Sequence, residues 1–245
     1  MHHFFVNKEQ IEESCIRITG SDVNHIKNVL RMKNGEEVLI SNGVDKDYFC
    51  EIEEIGKDEV RARILSVEKE GRELPSKIYL FQGLPKSDKM ELIIQKAVEL
   101  GVYEIIPVAM KNSVAKLEPK KAESKIKRWQ AIAESAAKQS KRIIIPKVNF
   151  LMTWKEALEY AKDFEYNLIP YENADKMAET KSLISSIRPN ASIGIFIGPE
   201  GGFDEREIAS ALALDMKTIT LGKRILRTET AGLTALSVIM FQLES

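Results

Sequence analysis

The sequence is poor in cysteine: Cys15 and Cys50 are the only two, and neither belongs to a CxxC pair or a Cys/His cluster. That spacing excludes a disulfide framework and a zinc site, so no metal is expected in the chemistry. Long apolar runs are missing as well. The longest fall well short of the roughly 20 residues that a membrane-spanning helix needs, and the N-terminus has no basic region followed by an apolar one. The expected location is therefore the cytoplasm. Nor is there an excess of charge of either sign: 36 Lys and Arg stand against 37 Asp and Glu, for a formal net charge of −1, which argues against a strongly basic nucleic-acid binder. The distribution says more than the sum. Between Lys111 and Lys147 eleven basic residues (Lys111, Lys116, Lys120, Lys121, Lys125, Lys127, Arg128, Lys138, Lys141, Arg142, Lys147) stand against Glu118, Glu123 and Glu134. Such a stretch is a candidate phosphate-facing surface, although any one of its lysines reads equally as part of a solvated helix face.

What is present reads as two regions. The 245 residues are 44% hydrophobic, ample for packed cores. Up to about residue 70, short β-type runs (FFV, EEVLIS, DYFCEIEEI, DEVRARILSVE) are separated by Asn-Gly and Gly-Lys-Asp turn signals, with a short helix over residues 23–31. A small antiparallel barrel of this kind commonly binds RNA. The natural boundary is residues 69–76, with Gly71 and Pro75, and it divides residues 1–72 from 73–245. Beyond it the runs IYLFQ, EIIPV, RIIIP, YNLIP, IGIFI and KTITL alternate with helices over 88–100, 120–139, 154–162, 176–187 and 204–214, ahead of a last apolar helix over 231–243. This is the βαβ rhythm of an α/β fold with a parallel sheet covered on both faces. Asp88 is the expected N-cap of its helix, with Glu91 completing a capping box and Gly101 just past the end. Met32, Trp129 and Trp154 fit core packing at their helical spacing better than base stacking.

Two strand-to-helix turns concentrate glycine and charge. IGIFI runs into Gly198, Pro199, Glu200, Gly201, Gly202 and Phe203, and KTITL runs into Leu221, Gly222, Lys223, Arg224, Ile225, Leu226, Arg227, Thr228, Glu229, Thr230, Ala231 and Gly232. Ligands of open α/β sheets bind outside the carboxyl ends of strands, where glycine lets the backbone approach closely. Neither turn matches GxGxxG or GxxxxGK[ST], so a phosphate cradle is absent. Thr228 is the expected N-cap of the last helix, and Glu229 suits its first turn. An ordinary capped helix start explains those two residues equally well.

IGPEGGF and LGKRILRTETAG, together with HHFFV, HIKNVLRMKNGEEV, LPKSDKMELIIQKAVELGV and RWQAIAESAAKQSKRIIIP, resemble the RsmE family of the α/β-knot (SPOUT) superfamily, which methylates N(3) of uridine in small-subunit ribosomal RNA. The likeness spans nearly the whole chain. It implies a trefoil-knot methyltransferase domain behind a PUA-like or OB-like β unit, S-adenosylmethionine as methyl donor, rRNA or the small ribosomal subunit as partner, and a homodimer, which the apolar residues 233–243 could join. It places the donor in the turn after YNLIP, which includes Glu172, and in the two glycine-bearing turns, among Ile169, Pro170, Tyr171, Ile197, Gly198, Pro199, Glu200, Gly201, Gly202, Leu221, Gly222, Ile225, Leu226, Thr228, Thr230 and Ala231. Arg227 and Arg224 are the candidates to stabilise charge on the base, and Glu229 or Glu200 to accept or orient the proton. Candidate RNA contacts are Arg31, Lys86, Lys89, Lys138 and Arg142, with His3 standing where the family often has arginine. The alternatives are a knot methyltransferase acting on ribose or tRNA, and a non-catalytic RNA-binding ribosome-assembly factor.

Overall fold

Two units emerge in a computed structural model that describes residues 1–68, 71–114, 119–171 and 177–244, the side chains of 119–121 apart. Lys69 and Glu70 of the expected boundary, Lys116 and Glu118 of the basic stretch with the side chains of Lys120 and Lys121, Glu172 and Lys176 lie outside the described residues. One unit comprises Met1–Glu73 and Ala137–Ile145, the other Leu74–Ala136 and Pro146–Ser245.

In the first unit, alternating apolar residues build five strands: β1 (His2–Phe5), β2 (Cys15–Thr19), β3 (Glu37–Ser41), β4 (Asp47–Ile55) and β5 (Glu59–Glu68), in the order β1-β3-β4-β5-β2. Phe4, Ile16, Ile18, Val38, Ile40, Ile52 and Val60 line up on one face and form its core. Register shifts at Phe49/Cys50 and Ile52/Glu54 put one extra residue into β5 (Leu65) and one into β4 (Glu53), which bends the pair. Three points differ from expectation. CIRIT is a strand, because Ile16 and Ile18 alternate into the core while Arg17 stays half-exposed. β1 runs parallel to β3, and β1 and β2 end the hydrogen-bonded order, so the strands do not close into an all-antiparallel barrel. The helical stretch starts earlier, as α1 (Ser21–Asn24), and continues as a π-type turn over His25–Leu30 that ends at Arg31 in the left-handed conformation, φ +55°.

RIIIP is not a strand. The Ile143 and Ile144 amides donate to Glu73 Oε1 (3.0 and 3.4 Å), and the Arg142 guanidinium pairs with the same carboxylate, so these amides have no ladder to join.

The second unit is a parallel sheet in the order β12-β10-β11-β6-β7-β8: β6 (Lys77–Gly83), β7 (Glu104–Ala109), β8 (Lys147–Val148), β10 (Tyr166–Pro170), β11 (Ser192–Ile197) and β12 (Lys217–Ile219), with β9 (Met152–Thr153) also paired to β7. Every pairing is parallel. The strands at its centre are buried on both faces, which is why they read as continuous apolar runs. Phe81 and Phe196 stack with centroids 4.2 Å apart amid Ile106, Val108, Ile169 and Met216. The helices are α2 (Lys89–Glu99), α3 (Pro119–Ser140, whose last residues count with the first unit), α4 (Trp154–Ala161), α5 (Met177–Ser185), α6 (Glu205–Leu212) and α7 (Thr228–Leu243).

The capping box expected at α2 does not form. Asp88 has φ −94° and ψ 13°, not the extended backbone that a capping side chain needs, and Glu91 pairs instead with Arg128 at 2.8 Å. α6 has the box, with Asp204 accepting from Arg206 N and Glu207 Oε2 from Asp204 N. Among the described residues no helix is long and apolar enough to cross a membrane, and no three His, Cys, Asp or Glu group together to hold a metal ion.

Candidate functional site

An all-parallel sheet brings the carboxyl ends of its strands to one edge. Here the turns after β10, β11 and β12 enclose a cleft of about 510 Å³. Pro170, Tyr171, Ile197, Gly198, Pro199, Glu200, Gly201, Gly202, Leu221, Gly222, Ile225, Leu226, Thr228 and Ala231 line it, together with Arg224 and Arg227. Gly222 has φ +114°, which a side chain would strain. Two expected residues fall outside: Ile169 is fully buried in the core, and Thr230 is exposed on α7 away from the lining. Lys89, Phe203 and Thr220 join the lining instead.

Charge collects at one side. Lys89 Nζ lies 3.0 Å from Glu200 Oε1 and 3.4 Å from Glu229 Oε2, and the Lys86 amide donates to both Glu200 oxygens at 3.1 and 3.3 Å. Burial pushes the Glu200 carboxyl up. Hydrogen bonds from Lys89 and from the Glu200 and Lys86 amides outweigh that and hold it below the usual range. The Glu200 bond, helped by its charge and by Glu229, raises the Lys89 ammonium. Glu200 is thus a weak proton acceptor, tied to Lys89. Glu229 itself is half-buried, and among the described residues its Oε2 has no hydrogen-bond partner beyond the ion pair.

A brace that sequence reading missed supports the glycine turn. Asn112 Nδ2 donates to the Gly201 and Gly202 carbonyls (3.2 and 3.3 Å), the Lys111 amide donates to Glu207 Oε1 (2.9 Å), and the Lys111 ammonium pairs with Asp204. Phe203 packs on Trp154, whose indole donates to Ser210, while Met32 and Trp129 are core residues.

Thr228 is not the N-cap. Arg227 holds that place with extended backbone and no side-chain cap, and Thr228 is the first helical residue. Its hydroxyl donates to the Gly198 carbonyl at 2.6 Å and accepts from Gln82 Nε2 at 2.9 Å. The signal in the sequence was Gln82 itself, a polar residue just before the end of an apolar strand.

The expected RNA contacts divide. Arg31 and Lys86 are exposed, and Lys89 belongs to the cleft. His3 and Arg142 are buried at 7% and 4% exposure, so neither presents itself to a phosphate. His3 faces Ser41 Oγ (2.6 Å) and the Lys138 carbonyl (3.3 Å), and burial lowers its pKa to about 4. Arg142 is neutralised by Glu73, and Lys138 is bound to Asp22 at 3.0 Å.

Residues 72–240 match the RNA methyltransferase domain family and residues 18–65 the RNA methyltransferase PUA domain. The chain is 41% identical to the ribosomal RNA small subunit methyltransferase E of Bacillus subtilis (strain 168) over 250 residues, covering 100% of this chain and 98% of that one. It is 38% identical to the protein of the same name from Mesomycoplasma hyopneumoniae (strain 232) over 237 residues, with 97% and 98% covered. The crystal structure of ribosomal RNA small subunit methyltransferase E from Neisseria gonorrhoeae, bound to S-adenosyl methionine, superposes with a TM-score of 0.84 at 32% identity, covering 98% of this chain and 97% of that one.

Proposed function

Because this chain belongs to the ribosomal RNA small subunit methyltransferase E family, we propose that it transfers a methyl group from S-adenosylmethionine to N(3) of one uridine in small-subunit ribosomal RNA. It is an S-adenosylmethionine-dependent rRNA methyltransferase with an α/β-knot domain behind a PUA-like unit. The observation that carries this reading is the meeting of IGPEGGF and LGKRILRTETAG in one cleft of a chain similar to these relatives from end to end.

The residues present fit the donor. The cleft volume lies within the usual range for small ligands, and its walls combine Tyr171, Ile197, Leu221 and Leu226 with the backbone of glycine-bearing turns. When bound, S-adenosylmethionine supplies an electrophilic methyl group on sulfur. The chain's part is to align uridine N(3) with that carbon, since positioning provides much of the acceleration in such displacements. As the N(3)–C bond forms, the carbon–sulfur bond breaks and the N(3) proton leaves. The guanidinium of Arg227, with Arg224 beside it on the cleft, stabilises the negative charge spreading over the ring. Glu229 accepts or orients the proton. Glu200, with its depressed pKa, holds Lys89 and the glycine turn.

The protein works in the cytoplasm as a homodimer in this reading. Val238 (43% exposed) and Phe241 (76%) on α7 support an apolar subunit contact. Arg31, Lys86 and the basic face of α3 supply phosphate contacts. The test is incubation with labelled S-adenosylmethionine and small ribosomal subunits, stripped rRNA or tRNA, followed by nucleoside mass spectrometry. 3-Methyluridine from small subunits or their rRNA is the expected product. A ribose-methylated nucleoside, label in tRNA, or donor binding with no labelled nucleoside would replace the reading.

A further inference from the structure

Gln82, the last residue but one of β6, has no exposed surface and lies outside the cleft lining, yet it is bonded to it. Its Nε2 donates to the Gly83 carbonyl at 3.0 Å and to Thr228 Oγ at 2.9 Å, and Thr228 Oγ donates to the Gly198 carbonyl at 2.6 Å. Proton counting fixes the direction. A hydroxyl has one proton and a carbonyl has none, so the Thr228 proton goes to Gly198 and the Thr228 oxygen must accept from Gln82.

The amide therefore turns its nitrogen to Thr228 and leaves Oε1 buried without a partner among the described residues, an arrangement that carries the desolvation cost of an unmet acceptor. A side chain that retains that cost to keep a donor aimed at one hydroxyl is set for donation. The next residue serves the same junction: a Cβ at Gly83 would meet Pro199 N at 2.7 Å, so the glycine turn rests directly on the end of β6.

We propose that Gln82 is a positioning residue for the methyl-donor site. It orients the Thr228 hydroxyl so that the start of α7 holds the Gly198 carbonyl, which fixes the spacing of two of the three turns before any ligand arrives. Affinity gained in this way comes from reduced ordering on binding. It follows that the single Thr228 proton is committed to the Gly198 carbonyl and is not offered to a ligand acceptor. The proposal rests on the reading of the cleft as the donor site.

The test is calorimetric titration of S-adenosylhomocysteine into the parent protein and three variants, with urea unfolding of each. Thr228→Val removes the link and should weaken binding about tenfold or more, while Thr228→Ser restores it to within about threefold of the parent. Gln82→Glu replaces a donor by an acceptor when ionised, so the Thr228 proton turns away from Gly198. Its affinity should fall about tenfold at pH 8 and recover as the pH is lowered and the carboxyl regains a proton to donate. A residue that merely filled space would give no such recovery. Turnover by Gln82→Glu at pH 8 should show a raised KM for the donor with kcat at saturation within about twofold. Parent-like binding by Thr228→Val, failure of Thr228→Ser to restore binding, or a flat pH response in Gln82→Glu beyond the parent's own overturns the proposal. If Gln82→Glu does not fold, the two Thr228 variants decide. Absence of binding by the parent protein would instead remove the donor reading itself.

Discussion

Each unit buries a hydroxyl between two polar partners, and the two hydroxyls are held differently. In the parallel sheet Thr228 lies between an amide nitrogen that only donates and a carbonyl that only accepts. Neither partner titrates, so the direction of the chain is the same at every pH. In the N-terminal unit Ser41 lies between the His3 imidazole and the Asp47 carboxyl, with Arg72 3.3 Å beyond. Both partners titrate: Ser41 donates to the Asp47 carboxylate, and protonation of that carboxyl or of His3 changes what each end of the chain can accept or donate. Neutral partners preserve a geometry, whereas titrating partners link one to proton concentration. The candidate cleft contains the first kind and the N-terminal unit the second.

The largest effect that would sharpen this contrast lies in the cleft. Arg227→Ala should lower turnover by about a hundredfold or more, as loss of a charge-stabilising donor does elsewhere, with donor affinity within about threefold; unchanged turnover would remove Arg227 from catalysis. In the other unit, Glu73→Gln should cost about 2–4 kcal/mol in urea unfolding, because it leaves the buried Arg142 charge without its carboxylate. Donor affinity should stay unchanged, and a matching loss there would break the division of roles.

A pH series comes next in size. His3 has a folded pKa of about 4 against 6.5 in the unfolded chain, so the unfolded state takes up its proton first as pH falls. Stability is full above about pH 6.5 and declines towards pH 4, by at most about 3 kcal/mol. Burial raises the Asp47 carboxyl, and this works the other way in the acid part of that window, because the folded state then takes the proton first. His3→Gln should flatten the slope between pH 6.5 and 5; an unaltered slope would show that His3 does not set it. The smallest effect is expected from Lys89→Met. It should let the Glu200 carboxyl rise towards its ordinary value, readable by NMR titration, and change donor affinity by about threefold or less.

The parallel sheet was legible because strands buried on both faces read as plain apolar runs, and its site because glycine and charge crowd the ends of two of them. What escaped was long-range. RIIIP has the composition of a strand, but its amides are claimed by Glu73, some 70 residues away. CIRIT is short, broken by Arg17, and gains its identity from β5 more than 40 residues on. Thr228 looked like a cap because hydroxyls before helices usually are, and nothing local reveals that Gly198 and Gln82 hold it. His3 and Arg142 look like surface charges until their burial is seen. Local pattern reports which element a segment forms, and polar side chains take their roles from partners that only the fold supplies.

The first unit is assembled from two stretches, Met1–Glu73 and Ala137–Ile145. During synthesis, then, its N-terminal strands must wait for more than sixty further residues before Arg142 arrives to meet Glu73. Folding of this chain cannot proceed strictly domain by domain from the ribosome. A truncation between residues 73 and 74 likewise yields an N-terminal fragment lacking part of its own structure.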